Sequence, residues 1–115
     1  MKRAFLVLTP LLVVALLLAG CGVKTTHKVV SAAAVPGGTG FSGGPIRVKK
    51  GDKVVITVGN RTERTHGFAI DAFGIKDTVD PGKRVQVKFT PTAAGRYVVY
   101  CQLHPTHKPT ELIVS

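Results

Sequence analysis

Methionine, cysteine and acidic residues are scarce in this sequence, and these shortages narrow what the protein can be. The only methionine is Met1, so no thioether is available as a ligand in the rest of the 115 residues. Two cysteines, Cys21 and Cys101, can form at most one disulfide, which excludes a disulfide-rich scaffold. No segment after the first 20 residues shows a helical period with caps, and no repeat is present. A helical bundle and a repeat array are therefore excluded.

The N-terminal segment has the pattern of an export signal. Two basic residues precede a run from 4 to 19 that is apolar except for Thr9 and Pro10. A membrane-spanning helix needs about 20 apolar residues, so this shorter run favours a removable signal. Residues 18–21, Leu-Ala-Gly-Cys, look like the lipobox of bacterial lipoproteins, which implies cleavage before Cys21 and lipidation of its sulfur. A plain secretory peptide and an uncleaved anchor are the alternatives.

The predicted domain organisation follows from this signal. We predict a signal peptide over 1–20, a lipidated Cys21 with a polar tether over 21–28, and one domain over 29–115. His27, within the tether, is expected to be solvated. The lipid would hold the protein at a membrane, facing the periplasm or the cell exterior. A lipidated Cys21 forms no disulfide, so Cys101 is left as a lone thiol that a bound metal would protect; a buried, inert cysteine is the alternative.

Alternation of apolar and polar residues with a period of two predicts an all-β fold. The predicted strands are 46–48, 54–58, 66–70, 85–89 and 97–100, with a further candidate at 29–35. The glycine-rich segment 36–45 is predicted to be a loop, and 50–52 and 80–83 have the composition of turns. Short strands separated by Gly and Pro turns indicate a two-sheet antiparallel sandwich.

Three possible metal donors lie close together near the C-terminus. The predicted strand from Tyr97 to Tyr100 ends at Cys101, and the prolines that follow break regular structure. His104 and His107 therefore fall in a loop after the thiol. Thiolate and imidazole ligands select copper or zinc over magnesium or calcium, which prefer oxygen.

His66 supplies a possible second arm of the same site. On a strand it shares a face with Phe68 and Ile70, both obvious core residues, so its side chain is predicted to point inward. A lone inward histidine is more often an ordinary core residue than a ligand. An inward thiol at the end of another strand makes a shared metal site the better interpretation.

Several motifs together resemble the cupredoxins, the family of plastocyanin, azurin and pseudoazurin. The matching segments are Lys50-Gly51-Asp52, Asn60, Thr65 to Ile70, Pro81-Gly82, Gly95-Arg96-Tyr97 and Cys101-x-x-His104, within a region from Ile46 to Val114. The resemblance implies a Greek-key sandwich that binds one copper ion through His66, Cys101 and His104. The segment 66–70 also looks like the two-copper domains of cytochrome oxidase subunit II and nitrous oxide reductase. Pro105 stands where their second cysteine would be, so a dinuclear centre is not expected.

The sequence departs from the family at the axial ligand. The usual methionine would fall at Pro109, which has no side-chain donor. His107 is the nearest residue that could replace it, and it completes the candidate set. The alternative is that His107 is an exposed loop histidine.

These features predict a membrane-anchored copper protein, not an enzyme, that carries single electrons between redox partners. Copper capture or delivery is the main alternative, and an enzyme-like copper centre ranks last because no general base or substrate pocket is recognisable near the site. From residue 22 on, 14 Lys and Arg outnumber six Asp and Glu. This excess favours a redox partner with an acidic docking face, or anionic lipid. The export signal argues against nucleic acid as a partner.

Overall fold

The computed structural model of the protein describes residues 22–115, so the predicted signal peptide and the lipidation site Cys21 lie outside the described residues. Nine strands and one short 3-10 helix, Asp71–Phe73, make up this part of the chain. The strands are β1 (Thr25–Val35), β2 (Gly38–Ser42), β3 (Ile46–Val48), β4 (Lys53–Asn60), β5 (His66–Ile70), β6 (Ile75–Val79), β7 (Arg84–Phe89), β8 (Gly95–Val99) and β9 (Thr110–Val114). Within residues 22–115, no helix has the length and apolar character needed to cross a membrane.

The strands form two layers around one core. The first sheet has the order β2-β1-β4-β7, and the second layer contains the sheet β3-β9-β8 and the hairpin β5-β6. Two backbone hydrogen bonds between Ala69 and Tyr100, of 2.8 and 3.0 Å, join this hairpin to the end of β8. Phe68 lies fully buried between the layers, with its ring edge-on to Phe41 at 5.7 Å between centroids. The all-β prediction is confirmed.

Most strand pairs are antiparallel, as in the sandwich predicted from the sequence, but two pairs depart from this pattern. β1 runs parallel to β4, and β3 runs parallel to β9. The physical reason is the connection between them: after β1 and β2 the chain crosses to the second layer at β3 and returns for β4. Such a crossover allows two strands of one sheet to run in the same direction.

Two local predictions in the N-terminal half also need correction. β1 begins at Thr25, so the residues predicted as the end of the tether belong to the sheet, although His27 is exposed as expected. The segment 36–45 is not only a loop, because it contains β2, which pairs antiparallel with β1 and buries Phe41. Glycine disfavours strands by itself, so here the pairing and burial override local propensity.

Candidate metal centre

Two strand ends bring His66 and Cys101 together. His66 is the first residue of β5, and Cys101 follows the end of β8 by two residues. The Ala69–Tyr100 bridge fixes these two strands side by side, which is why residues 35 positions apart become neighbours. Their side chains are 5% exposed, as the inward orientation of both predicted.

His104 completes a compact group of three donors. Its Nδ1 lies 3.6 Å from Cys101 Sγ and 3.3 Å from His66 Nδ1, and Cys101 Sγ lies 3.8 Å from His66 Nδ1. Metal bonds of about 2.0 Å to nitrogen and about 2.3 Å to sulfur place donors of a trigonal site about 3.5 Å (N to N) and about 3.7 Å (S to N) apart. The observed spacings match these values, so one metal ion fits among the three residues without rearrangement of the fold. The sequence predicted this group of three.

The sulfur of Cys101 accepts a hydrogen bond from the backbone. The backbone N–H of Gly67 donates a hydrogen bond to Cys101 Sγ at 3.1 Å, and such donors stabilise the negative charge of a ligand sulfur. The amide of Gln102 packs directly on Gly67, so a side chain at Gly67 would collide with it. Gln102 is held in turn by donating its Nε2 to the carbonyl of Asp77 at 2.9 Å. A larger residue at position 67 would therefore have to displace the amide of Gln102.

The buried imidazole of His66 is held neutral. Burial lowers the pKa of His66, and the nearby His104 and Arg64 lower this pKa further. A neutral imidazole keeps the lone pair that a metal needs, because a protonated ring nitrogen cannot bind one. The lone pair of His66 is therefore available to a metal without loss of a proton near neutral pH.

Asn60 fixes the loop that leads into His66. Its Nδ2 donates to the carbonyls of Arg64 and Val79 at 2.7 and 2.9 Å, and its Oδ1 accepts from the backbone N–H and hydroxyl of Thr62. This one buried amide therefore ties residues 62–64 to the end of β6. Sequence reasoning noted Asn60 only as a match to the family and missed this positioning role. The available signal was a polar residue ending an apolar strand.

His107 is buried beside the group of three but is not part of it. Its ring is 5% exposed and lies 4.9 Å from the His66 ring and 4.3 Å from Phe41, measured between centroids. The alternative of an exposed loop histidine is therefore wrong. Both ring nitrogens are buried without a hydrogen-bond partner among residues 22–115. Burial, followed by the nearby His66, lowers the pKa of His107, and a backbone group of Lys108 close to the ring opposes part of this shift. That contact with Lys108 does not meet the geometry of a hydrogen bond.

A cavity of about 280 Å³ opens beside the site. His66, His104 and His107 all border it, together with Arg64 and the exposed Glu63. Glu63 was not predicted near the site, because its position depends on the loop that Asn60 shapes. The cavity gives small solutes a path to the histidines, and His104 is partly exposed at its edge.

Comparisons with known proteins agree with this geometry. The family model of the cupredoxin-like domain matches residues 9–114. The nitrous-oxide reductase of Cupriavidus necator is 32% identical over 83 residues, which are 70% of this chain and only 12% of that protein. The metal-binding domain of a Cu(I)-exporting P-type ATPase from Streptococcus pneumoniae, solved with Cu(I), has a TM-score of 0.67 at 17% identity over 80% of this chain and 87% of that one. Rusticyanin from Thiobacillus ferrooxidans has a TM-score of 0.65 at 23% identity, covering 82% and 79% of the two chains.

Proposed function

Because the chain belongs to the family of cupredoxin-like domains, we propose that it carries single electrons between redox partners outside the cytoplasm, held at a membrane. The group His66, Cys101 and His104 carries this proposal. Members of this family bind one copper ion, and the donor types and spacings of the group fit that ion. Bound copper supplies a centre that takes up one electron from a donor and releases it to an acceptor.

The fold holds the proposed ligands of the metal in place through several backbone and side-chain contacts. His66 and Cys101 are fixed by paired strands, the loop before His66 by Asn60, and the sulfur by the N–H of Gly67. Ligands held in one geometry reduce the reorganisation that accompanies a change of oxidation state. The cavity edge at His104 gives a partner protein close access to the centre.

His107 is the fourth residue of the proposed ligand set. A buried imidazole with two unpartnered nitrogens is costly unless something uses it, and here it lies next to the metal ligands. Because His107 lies outside the group of three, it would act as the weaker and more distant donor. In the cupredoxins that the sequence resembles, this weaker axial donor is a methionine, whose position in the sequence corresponds to Pro109 here.

The location at a membrane is part of the proposal. It is supported by the lipobox-like segment that ends at Cys21. In Cys21→Ser we expect loss of the protein from membranes of the producing cell that are washed at high salt, which screens electrostatic contacts with lipid, and an unchanged copper spectrum. Membrane retention of this variant would contradict lipidation at Cys21 without affecting the assignment of the copper site. The excess of basic residues supports a redox partner with an acidic docking face. The export signal argues against a role with nucleic acid.

Copper capture or delivery is the second candidate. It is favoured by the fold shared with the Cu(I)-bound domain of the Streptococcus pneumoniae exporter and by the solvent path to the histidines. Both candidates use the same ligands and differ in whether the metal or only an electron leaves the protein.

One set of measurements separates the two candidates. For the copper-loaded protein we expect an intense thiolate-to-copper absorption band, a matching electron paramagnetic resonance signal and reversible one-electron voltammetry. Slow or irreversible electron exchange, combined with transfer of copper to a chelator-like acceptor protein, would favour delivery instead. Absence of the thiolate band from the Cu(II)-loaded protein would contradict electron transfer through this site, and failure to bind copper in either oxidation state would contradict both candidates.

A further inference from the structure

The two layers of the sandwich differ in charge. The four strands β2, β1, β4 and β7 of the first sheet contain no acidic residue, whereas their basic residues are Lys28, Lys53, Arg84 and Lys88. The strands of the second layer carry Arg47, Lys76 and Arg96 together with Asp77 and Glu111. Within that layer Arg96 and Glu111 form an ion pair of 3.1 Å. The excess positive charge of the fold is therefore concentrated on one sheet.

The register of the first sheet places three of these cations on its outer face. Val54, Ile56 and Val58 of β4 are buried, so the alternate positions of β4 point outward. Lys53 is one of them, and Arg84 and Lys88 pair with two others, Gly59 and Val55. Nearby acids lie in turns at the two ends, where Asp52 accepts a hydrogen bond from Thr26 and Asp80 accepts one from Thr65.

Two shallow cavities on this sheet are bordered by cations. One, of about 370 Å³ near the start of β4, is bordered by Lys53 and Lys88 and by the hydroxyls of Thr25 and Thr90. The other, of about 300 Å³ near the end of β4, is bordered by Arg61, Lys83 and Arg84. No acidic side chain borders either cavity. Like charges this close repel one another, and an anion in each cavity would relieve that repulsion.

We propose that this outer face of the first sheet lies on the anionic phosphate headgroups of a membrane. The inference rests on the membrane location proposed above. Thr25 follows Cys21 by four residues, which span at most about 14 Å when extended, so a lipid at Cys21 would hold the start of this sheet close to the bilayer. An extended plane of lipid phosphates can fill both cavities at once, and the exposed Val29 between them would face the interface. The metal centre lies beyond the end of β4 and stays uncovered.

Charge reversal on matched faces tests this inference. Residues 22–115 contain all nine strands, so this part of the chain can be mixed, without its lipid, with vesicles of phosphatidylglycerol and phosphatidylcholine in equal parts. The test variant is Lys53→Glu with Lys88→Glu. The control is Arg47→Glu with Lys76→Glu, which changes the net charge equally through exposed residues of the second layer. Thermal melting and the copper spectrum of each variant report folding and the metal centre separately.

We expect the test variant to bind these vesicles at least about 30-fold more weakly than wild type, because each basic residue near an anionic surface contributes about fivefold. The control should stay within about threefold, and pure phosphatidylcholine vesicles should bind none of the three proteins. Equal losses in both variants would overturn the inference, since net charge alone would then explain binding. Wild type that ignores the anionic vesicles but binds soluble polyglutamate through Lys53 and Lys88 would overturn it too, and would assign the face to an acidic protein. A wild-type copper spectrum in both variants would show that a loss of vesicle binding does not come from the metal centre.

Discussion

His104 and His107 lie three residues apart in one loop, yet the fold gives them opposite environments. His104 is partly exposed, and its Nδ1 lies within 3.6 Å of both Cys101 Sγ and His66 Nδ1. His107 is buried against Phe41, and neither of its ring nitrogens has a hydrogen-bond partner in the part of the chain that the structure describes. The difference teaches that burial and ligand geometry are separate properties. His104, at the solvent edge, is the better placed of the two to bind the metal, whereas the buried His107 lies beside the ligand group.

The largest effect should come from removing the atom that both histidines surround. In Cys101→Ser we expect complete loss of the thiolate-to-copper band, because an alcohol oxygen cannot replace the soft sulfur donor. The absorption and electron paramagnetic resonance spectra of the copper-loaded protein check this. Cys21→Ser is the matched control and should keep the band. A band that survives in Cys101→Ser would remove the basis of the whole site.

Replacing His104, the more exposed of the two histidines, should affect the copper spectrum nearly as strongly. We expect His104→Ala to abolish the thiolate-copper spectrum, since only two of the three grouped donors remain. His27→Ala removes an exposed histidine of β1 and serves as the control. If His104→Ala keeps a wild-type spectrum while His107→Ala loses it, the roles assigned to the two histidines are reversed.

The sequence was sufficient for His66 and Cys101 because strand parity and strand ends determine where these side chains point. His104 was found through its spacing of three residues from Cys101, which matches the family motif. The sequence was not sufficient for His107, whose environment depends on long-range contacts. The strand β2, which was read as a glycine-rich loop, supplies Phe41 against the His107 ring. The same strand region accepts a hydrogen bond at Thr39 from the backbone of Lys108 at 2.8 Å. The loop predicted in place of β2 and the alternative of an exposed His107 therefore have the same cause. The residues that bury the His107 ring lie about 65 positions away in the sequence.

The buried His107 should adjust the reduction potential of the copper centre and should not be needed for copper to bind. An imidazole donor stabilises Cu(II), so we expect His107→Ala to raise the reduction potential and to shift the spectrum toward a trigonal blue site. A tenfold change in the preference between the two oxidation states corresponds to about 60 mV for one electron. Voltammetry measures this shift, with Thr106→Ala as a control from the same loop. An unchanged potential and spectrum would make His107 a neighbour of the site and not a donor.

The stability of the metal-free protein also tests the environment of His107. With no metal present, His107 places two unsatisfied nitrogens in a buried position, so His107→Leu should raise the free energy of unfolding by about 1 kcal/mol. His104→Leu should give no such gain, because His104 is partly exposed. Urea unfolding of both apo variants measures the difference. Destabilisation by His107→Leu would mean that the ring has a structural partner.

The smallest expected effect is on the pH dependence of the stability of the apo protein, which depends on the protonation of the buried histidines. The pKa values of His66 and His107 are lowered in the fold, mainly by burial, from the ordinary value of 6.5. As the pH falls below that value, histidines of the unfolded chain take up protons while these two stay neutral, so the stability of the apo protein must fall. The loss should begin near pH 6.5 and level off below the lowered pKa values. His107→Leu removes one of the two groups and should make stability fall less steeply between pH 7 and about pH 5. The control is His27→Leu, whose free energy of unfolding should fall with pH as steeply as that of wild type. Urea unfolding across this pH range measures all three proteins. Equal slopes for the two variants would contradict the prediction.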